Sequence, residues 1–327
     1  MTNGIIMSVY NGRQYILEQL DSLMLQSKMP DEIIIIDDGS DDGTPVIIND
    51  YIREHSNVNF RFLKNDINRG WKWNFYKGMQ MSSADIMYPC DQDDIWHKDK
   101  IKNMSEIMEH NPQIMVLEGQ PHKFFEDNEA SHSSNLHVWL GNFLDKKNNK
   151  RSNCGNTKRI KKKSFSSNFM KRAPGCTLAV RKTFFDSVAD EWFCDMPHDA
   201  LVTYYANILD QYYIYDYEVI EWRQHVGSAS RPKERNKTNR INDILLDKKM
   251  INAILDFSVN KNINSKYIAI MKEAKTWNEA RINLVEKGKI INLFTILKYS
   301  KFYYQKRRIL TDLKYGIQGN GNGKFEK

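Results

Sequence analysis

Four consecutive isoleucines, Ile33–Ile36, constrain this chain more than any other stretch. Successive side chains of a strand point to opposite faces, so an unbroken apolar run needs cover on both sides. Strands of parallel sheets, roofed by helices above and below, are built this way. The run closes in Asp37-Asp38-Gly39-Ser40. Two further runs behave alike. Gly4–Val9 leads into Tyr10-Asn11-Gly12, and Ala84–Tyr88 stops at Pro89, with Asp91, Asp93 and Asp94 just beyond. Three strands that end in polar clusters, with helical stretches between them, describe an open α/β sheet. Such sheets bind ligands at the carboxyl ends of their strands.

Periodicity fills in the remainder. The spacing predicts helices over 13–27, 44–55, 71–81 and 98–110, and strands over 58–63 and 113–118. A strand at 175–181, helices at 182–190 and 197–209, and a strand region at 212–220 follow. From about residue 240 the chain reads as helices over 240–258, 265–287 and 289–314. Residues 119–170 lose periodicity and gain Asn, Ser and Lys, as lids and binding loops do. Phe124, Phe125, Trp139, Leu140 and Phe143 argue that parts of this stretch pack. The tail from Gly316 to Gly323 is flexible by composition.

Carboxylates as close as Asp91, Asp93 and Asp94 repel one another unless a cation compensates. Oxygen ligands suit Mg²⁺ or Mn²⁺, and such ions are commonly shared with substrate phosphates. The alternative is a solvated acidic turn.

Taken together, Ser8-Val9-Tyr10-Asn11-Gly12, Ile36-Asp37-Asp38-Gly39-Ser40, Asn68-Arg69-Gly70 and Asp91-Gln92-Asp93-Asp94 resemble glycosyltransferase family 2 in order and spacing. Gly175-Cys176-Thr177, His198-Asp199 and Trp222-Arg223-Gln224-His225 continue the resemblance to about residue 230. The Asp-Gln-Asp-Asp-Ile-Trp form looks most like bacterial rhamnosyltransferases of cell-surface polysaccharide synthesis, such as O-antigen or capsule. The resemblance implies a GT-A fold: a Rossmann-like, mostly parallel open sheet flanked by helices, here with a C-terminal helical extension. It implies a nucleotide-binding half over 4–118 and an acceptor half over 119–235, followed by a helical extension over 236–315 and a tail over 316–327.

It also implies roles. Asp38 would accept the N3–H of uracil or thymine, with Ser8, Tyr10 and Asn11 around the base. For Tyr10 the alternative is core packing at a strand end. Asp91 would serve the ribose or the metal's surroundings, and Asp93 the metal itself. Arg69 would add charge near the phosphates, or simply be exposed. Asp199 matches the position of the general base in inverting members; it is equally a good helix cap. Family members often carry Glu-Asp where this chain has His198-Asp199. His225 would meet the metal or the diphosphate, with Arg223, Asp94 and His198 as further acceptor or diphosphate contacts. Trp96 either stacks on the acceptor sugar or fills the core. The expected reaction is inverting, metal-dependent transfer of a sugar, with dTDP-rhamnose as leading donor, onto a saccharide or lipid-linked acceptor. A UDP-hexose donor (galactose, glucose or N-acetylglucosamine) is the alternative, and a non-catalytic nucleotide-sugar-binding protein a second one.

The formal charge is +7, unevenly placed. Residues 146–172 hold eleven Lys/Arg and no acid, and residues 287–314 hold eight with Asp312 as the one acid. The rest of the chain is acidic, so the basic patches point to an anionic partner met away from the main sheet. The C-terminal patch, with its bulky apolar residues, resembles an interfacial helix suited to an anionic membrane. No module for nucleic acid is present, and no nucleic-acid partner is expected. A dehydrogenase is excluded at the first strand, which no GxGxxG follows. Four cysteines without a CxxC suggest neither zinc nor a disulfide framework, and Cys90 and Cys176 read as buried. With no long apolar span and no leader, the expected location is cytoplasmic, with peripheral contact at the inner face of the membrane.

Overall fold

The computed structural model describes residues 1–125, 159–225, 236–303 and 305–318. Trp139, Leu140, Phe143, most of the basic loop and the end of the tail lie outside them. Contacts divide the chain into two compact units. One comprises Met1–Lys163, Ala173–Cys194 and Gln211–Ala229; the other comprises Ser164–Arg172, Asp195–Asp210 and Ser230–Lys327. The boundary is therefore not a single cut near residue 235: two inner segments join the C-terminal helices.

The first unit is a mixed open sheet in the order β3-β2-β1-β4-β8-β6-β9-β5, with β7 paired to β9. Its strands are β1 (Asn3–Val9), β2 (Glu32–Asp37), β3 (Phe60–Lys64), β4 (Ile86–Cys90), β5 (Ile95–Trp96), β6 (Val116–Phe125), β7 (Ile160–Lys162), β8 (Leu178–Arg181) and β9 (Tyr212–Gln224). β1, β2, β3 and β4 run parallel, as the isoleucine run predicts. β8 enters antiparallel between β4 and β6.

Ile33 to Ile36 are each 2% exposed or less. On one face Ile33 and Ile35 pack with Ile5 and Met7 and with Ile16, Leu20 and Leu23 of α1 (Ile16–Met24). Ile48 and Tyr51 of α2 (Thr44–Glu54) join them. The other face meets α3 (Trp71–Met81). A Cβ on Gly78 would lie 2.4 Å from Ile6 Cγ2, so glycine there lets the helix seat on the sheet. α4 (Lys100–His110) adds Ile101, Met104 and Met108 to the core. A short α5 (Lys182–Val188) follows β8.

The second unit is helical: α6 (His198–Ile208), α7 (Lys237–Asn260), α8 (Ser265–Val285), α9 (Asn292–Lys298) and α10 (Arg308–Gln318). Asn236 and Asn264 cap α7 and α8 by accepting from the amides of Asn239 and Lys266. Its centre is ionic. Asp312, fully buried, accepts from Arg240 Nε at 2.5 Å, from Arg281 Nε at 2.9 Å and from the Tyr303 hydroxyl. Arg281 also reaches Asp247 at 2.9 Å and lies over the Trp277 ring at 4.3 Å.

This corrects the expected helix over 289–314. The segment breaks into α9, a 3-10 turn at Ser300–Phe302, and α10. Phe302 and Tyr303 turn inward onto Trp277, at ring separations of 5.8 and 4.9 Å, and Asp312 follows them. No helix among the described residues is long and apolar enough to cross a membrane.

Candidate active site

β1 lies between β2 and β4, and the chain leaves it on both sides. In open α/β sheets such a switch in direction marks where ligands bind, at the carboxyl ends of the strands. The polar clusters sit there. Gln92 bridges the ends of β1 and β4. Its Oε1 accepts from the Tyr10 amide at 2.8 Å and its Nε2 donates to the Tyr10 carbonyl at 3.1 Å. Gly12 leaves room for it, since a Cβ there would lie 2.6 Å from Gln92 Oε1. The Tyr10 ring is 48% exposed, so it does not pack in the core. The Asn11 amide donates to Ser40 Oγ at 2.9 Å, and Asn11 Oδ1 accepts from the Asp41 amide. Ser8 Oγ accepts from Asn74 Nδ2 at 3.2 Å.

Asp38 is 2% exposed. Its Oδ1 accepts from Asn65 Nδ2 at 2.9 Å and from the Arg69 amide at 2.8 Å; its Oδ2 accepts from the Gly70 amide at 2.8 Å. The carboxylate therefore moulds the 65–70 loop, with one lone pair on Oδ2 left over among the described residues. Arg69 itself is exposed, its guanidinium 4.8 Å over Trp73.

The acidic turn after β4 holds its three carboxylates differently. His225 Nε2 lies 2.7 Å from Asp93 Oδ2, joining two residues 132 positions apart. Tyr15 supports the imidazole from 4.7 Å. Asp94 is 1% exposed; burial, with Asp91 and Asp93 beside it, pushes its carboxyl well above the usual range. Its Oδ1 accepts from the Arg223 amide at 3.1 Å, and its Oδ2 is buried without a hydrogen-bond partner among the described residues. Asp91, Asp94 and Cys176 offer ligand atoms within 4.8 Å of one another. Burial pushes the Cys176 thiol well up, which makes it a poor ligand for a hard cation. Asp93 and His225, joined at 2.7 Å, are the other pair of candidate donors in the turn. Clustered carboxylates, an orphan oxygen and an imidazole fit a divalent cation such as Mn²⁺ or Mg²⁺.

Several expected contacts are corrected. Trp96 is fully buried, so it fills the core rather than meeting an acceptor. The Lys100 ammonium sits 3.3 Å from its ring centroid and donates to the Cys176 carbonyl at 2.6 Å; burial brings that ammonium down to about 8. Arg223 is 6% exposed and already engaged. Its Nε donates to the Asp93 carbonyl at 2.9 Å, its Nη2 to Glu18, and Tyr15 and Phe124 flank its guanidinium at 4.8 Å each. It props the acidic turn instead of meeting a diphosphate. Asp94, buried in the same turn, is likewise not an acceptor contact.

In the helical unit, Asp199 opens α6 and pairs with Arg172 at 3.2 Å. The Asp199 carboxylate holds the guanidinium above its ordinary value. The carboxylate keeps 13% of its surface exposed. His198 is 3% exposed, and burial brings its imidazole down to about 4. A neutral, enclosed ring does not contact acceptor or diphosphate, which corrects that expectation. Glu18, Tyr15 and Arg172 carried no local signal beyond their types; Gln92, inside Asp-Gln-Asp-Asp, and Cys176, inside Gly175-Cys176-Thr177, stood within motifs but without a role.

The model of glycosyl transferase family 2 matches residues 4–170, slightly more than half of the 327 residues. The chain belongs to glycosyl transferase family 2. Among curated relatives of this family 2 chain, dTDP-rhamnosyl transferase RfbG of Shigella flexneri is 37% identical over 109 residues, 32% of this chain and 37% of that protein. Poly-beta-1,6-N-acetyl-D-glucosamine synthase of Staphylococcus epidermidis is 29% identical over 118 residues, 36% of this chain and 28% of that one. An uncharacterized glycosyltransferase of Mycoplasma genitalium is 32% identical over 109 residues, 33% and 36% of the two chains. The match spans about a third of these relatives' length.

Solved structures share the fold at low identity. S. aureus TarS 1–349 in complex with UDP-GlcNAc superposes with a TM-score of 0.59 at 14% identity, covering 98% of this chain and 92% of that one. Mannosyltransferase PcManGT of Pyrobaculum calidifontis, in complex with GDP-Man and Mn²⁺, gives 0.52 at 16% identity over 96% and 84%. The family 2 chain thus has the GT-A architecture: an open sheet with helices on both faces and a helical C-terminal region.

Proposed function

We propose that this protein is an inverting, metal-dependent glycosyltransferase that moves a sugar from a nucleotide donor onto a saccharide or lipid-linked acceptor during cell-surface polysaccharide synthesis. The observation that carries the reading is the Asp93–His225 pair, just beyond the carboxyl end of β4 in a family 2 chain. The leading donor is dTDP-rhamnose, which the partial similarity to RfbG supports. A UDP-hexose such as UDP-N-acetylglucosamine is the second reading, favoured by the synthase relative.

In this reading Asp93 and His225 hold a divalent cation, with Asp91 at the ribose or around the metal. The cation, when bound, offsets charge on the departing nucleoside diphosphate, help worth several kcal/mol of barrier. Tyr10, Asn11 and Ser8 face the base, and the free lone pair of Asp38 Oδ2 accepts its N3–H. Arg69 extends over the phosphates from its stack on Trp73. Asp199 takes the proton of the acceptor hydroxyl as that oxygen bonds to the anomeric carbon and the bond to the diphosphate breaks. Arg172 keeps the Asp199 carboxylate aimed until then.

The test is a thermal-stabilisation screen of dTDP-rhamnose, UDP-hexoses and GDP-mannose, each with and without Mn²⁺. A metal-dependent rise with dTDP-rhamnose alone selects the first donor, and a rise with a UDP-sugar alone selects the second. No stabilisation by any nucleotide would remove the transfer reading.

A further inference from the structure

The helix α9 meets the rest of its unit along one narrow line. Ile296 is fully buried, while Ile290, Ile291, Phe294 and Leu297 are 50%, 71%, 72% and 51% exposed. A helix turns once in 3.6 residues, so Phe294 projects on the side away from Ile296 with Leu297 flanking it, and Ile290 and Ile291 stand in the exposed turn just before the helix. α10 repeats the arrangement. Leu310 and Ile317 are 69% and 54% exposed, seven positions apart, while Asp312, Tyr315 and Gly316 between them are buried. Lys287, Lys289, Lys298, Lys301, Lys306, Arg307 and Lys314 all stand in solvent around these residues.

The acids do not balance them. Asp312 is enclosed and shared by Arg240 and Arg281. Glu273 of α8 pairs with Lys301, and Glu279 and Glu286 are the exposed acids toward the end of α8, two against seven exposed cations. A face that is apolar at its centre and cationic at its rim suits a surface that is apolar within and anionic outside. A second copy would bring like charges together around the same patch.

We propose that this face docks on an anionic lipid bilayer, with Ile290, Ile291, Phe294 and Leu297 entering the boundary between headgroups and acyl chains. The lysines around them lie over anionic headgroups, the pattern of an interfacial helix rather than a spanning one. The docking stands apart from the transfer reading, because it uses none of the residues assigned to donor or metal.

The experiment is co-sedimentation of the full chain, without nucleotide, with vesicles of phosphatidylglycerol and phosphatidylcholine, and with phosphatidylcholine alone. The protein is expected to pellet with the anionic vesicles at low salt and to be released as salt rises, since the attraction is screened within about 10 Å at 0.1 M. The double substitution Ile291→Ser and Phe294→Ser removes exposed groups only, and is expected to weaken partitioning by about tenfold or more. Lys289→Gln with Lys298→Gln is expected to weaken binding to anionic vesicles and leave neutral ones unaffected. Protein that stays in the supernatant with anionic vesicles at low salt overturns the proposal, as does a serine variant that pellets like wild type. Self-association abolished by the serine substitutions, without vesicle binding, also overturns it and gives the face to a second copy. Donor stabilisation measured on the same variants keeps a failure here separate from a failure of the transfer reading.

Discussion

Asp312→Asn is the sharpest structural test in the C-terminal unit. The substitution keeps the shape of the side chain and removes one charge at a site with no solvent exposure. That charge is shared by two guanidinium groups, Arg240 and Arg281, and by the Tyr303 hydroxyl. Arg281 keeps Asp247 as a second partner, itself 23% exposed, but Arg240 loses the carboxylate that faces it. Removing one partner of a buried pair costs about 3–5 kcal/mol, because the other charge stays enclosed. With a urea dependence of about 1–3 kcal/mol per molar, the midpoint should fall by roughly 2 M. Trp277, buried against Arg281, Phe302 and Tyr303, is positioned to report the transition by fluorescence. Urea is the denaturant to use, since a guanidinium salt would screen the charges under test. Replacing Asp312 by Leu and both arginines by Met should recover much of the loss. A single variant within about 1 kcal/mol of wild type would refute the reasoning and make the cluster a water-accessible ion pair. The same arithmetic says that truncation after residue 286 removes Asp312 and Tyr303 together, so it destabilises the unit and is no clean test of membrane binding.

Three further outcomes are expected. Asp93→Asn should leave the fold intact, abolish turnover and make calorimetric affinity for a nucleoside diphosphate insensitive to Mn²⁺; wild-type affinity that is already the same with and without the ion contradicts the metal role. Asp199→Asn should lower the catalytic rate by about two orders of magnitude or more with little change in donor affinity; transfer at the wild-type rate removes Asp199 from the chemistry. His198 should make stability depend on pH, because burial takes its imidazole from 6.5 to about 4 in the folded chain. The unfolded chain binds the extra proton between those values, so this contribution is fully present above pH 6.5 and is lost as pH falls toward 4. At about 1.4 kcal/mol per pKa unit it amounts to roughly 3 kcal/mol. Urea midpoints of wild type and His198→Gln, compared at pH 7 and pH 4.5, should converge at the lower pH; parallel curves rule the histidine out.

The parallel half of the sheet was legible because its cause is local: an isoleucine run and two neighbours, each ending in polar residues, state both period and polarity. β5 and the far ends of β6 and β9 were not. β5 is two residues long, and β9 runs on through Glu221 and Arg223, polar residues whose strand partners lie a hundred positions away. The Asp93–His225 pair was anticipated through family resemblance, whereas the residues that aim it, Arg223, Glu18 and Tyr15, meet only after folding. The break between α9 and α10 was hidden for a related reason. An Asp among lysines looks solvated until Arg240 and Arg281, on α7 and α8, are brought around it.

The Gln92 bridge makes the Tyr10 peptide a natural gauge. Its amide gives its hydrogen to a side chain carried by the acidic turn rather than to a neighbouring strand. Exchange of that hydrogen with deuterated solvent therefore requires the turn to lift away, whatever the rest of the sheet is doing. Slower exchange upon adding Mn²⁺ would measure how firmly the ion seats the turn, and at the same peptide that carries the exposed tyrosine ring. The end of β1 and the acidic turn after β4 are, through one glutamine, a single mechanical part.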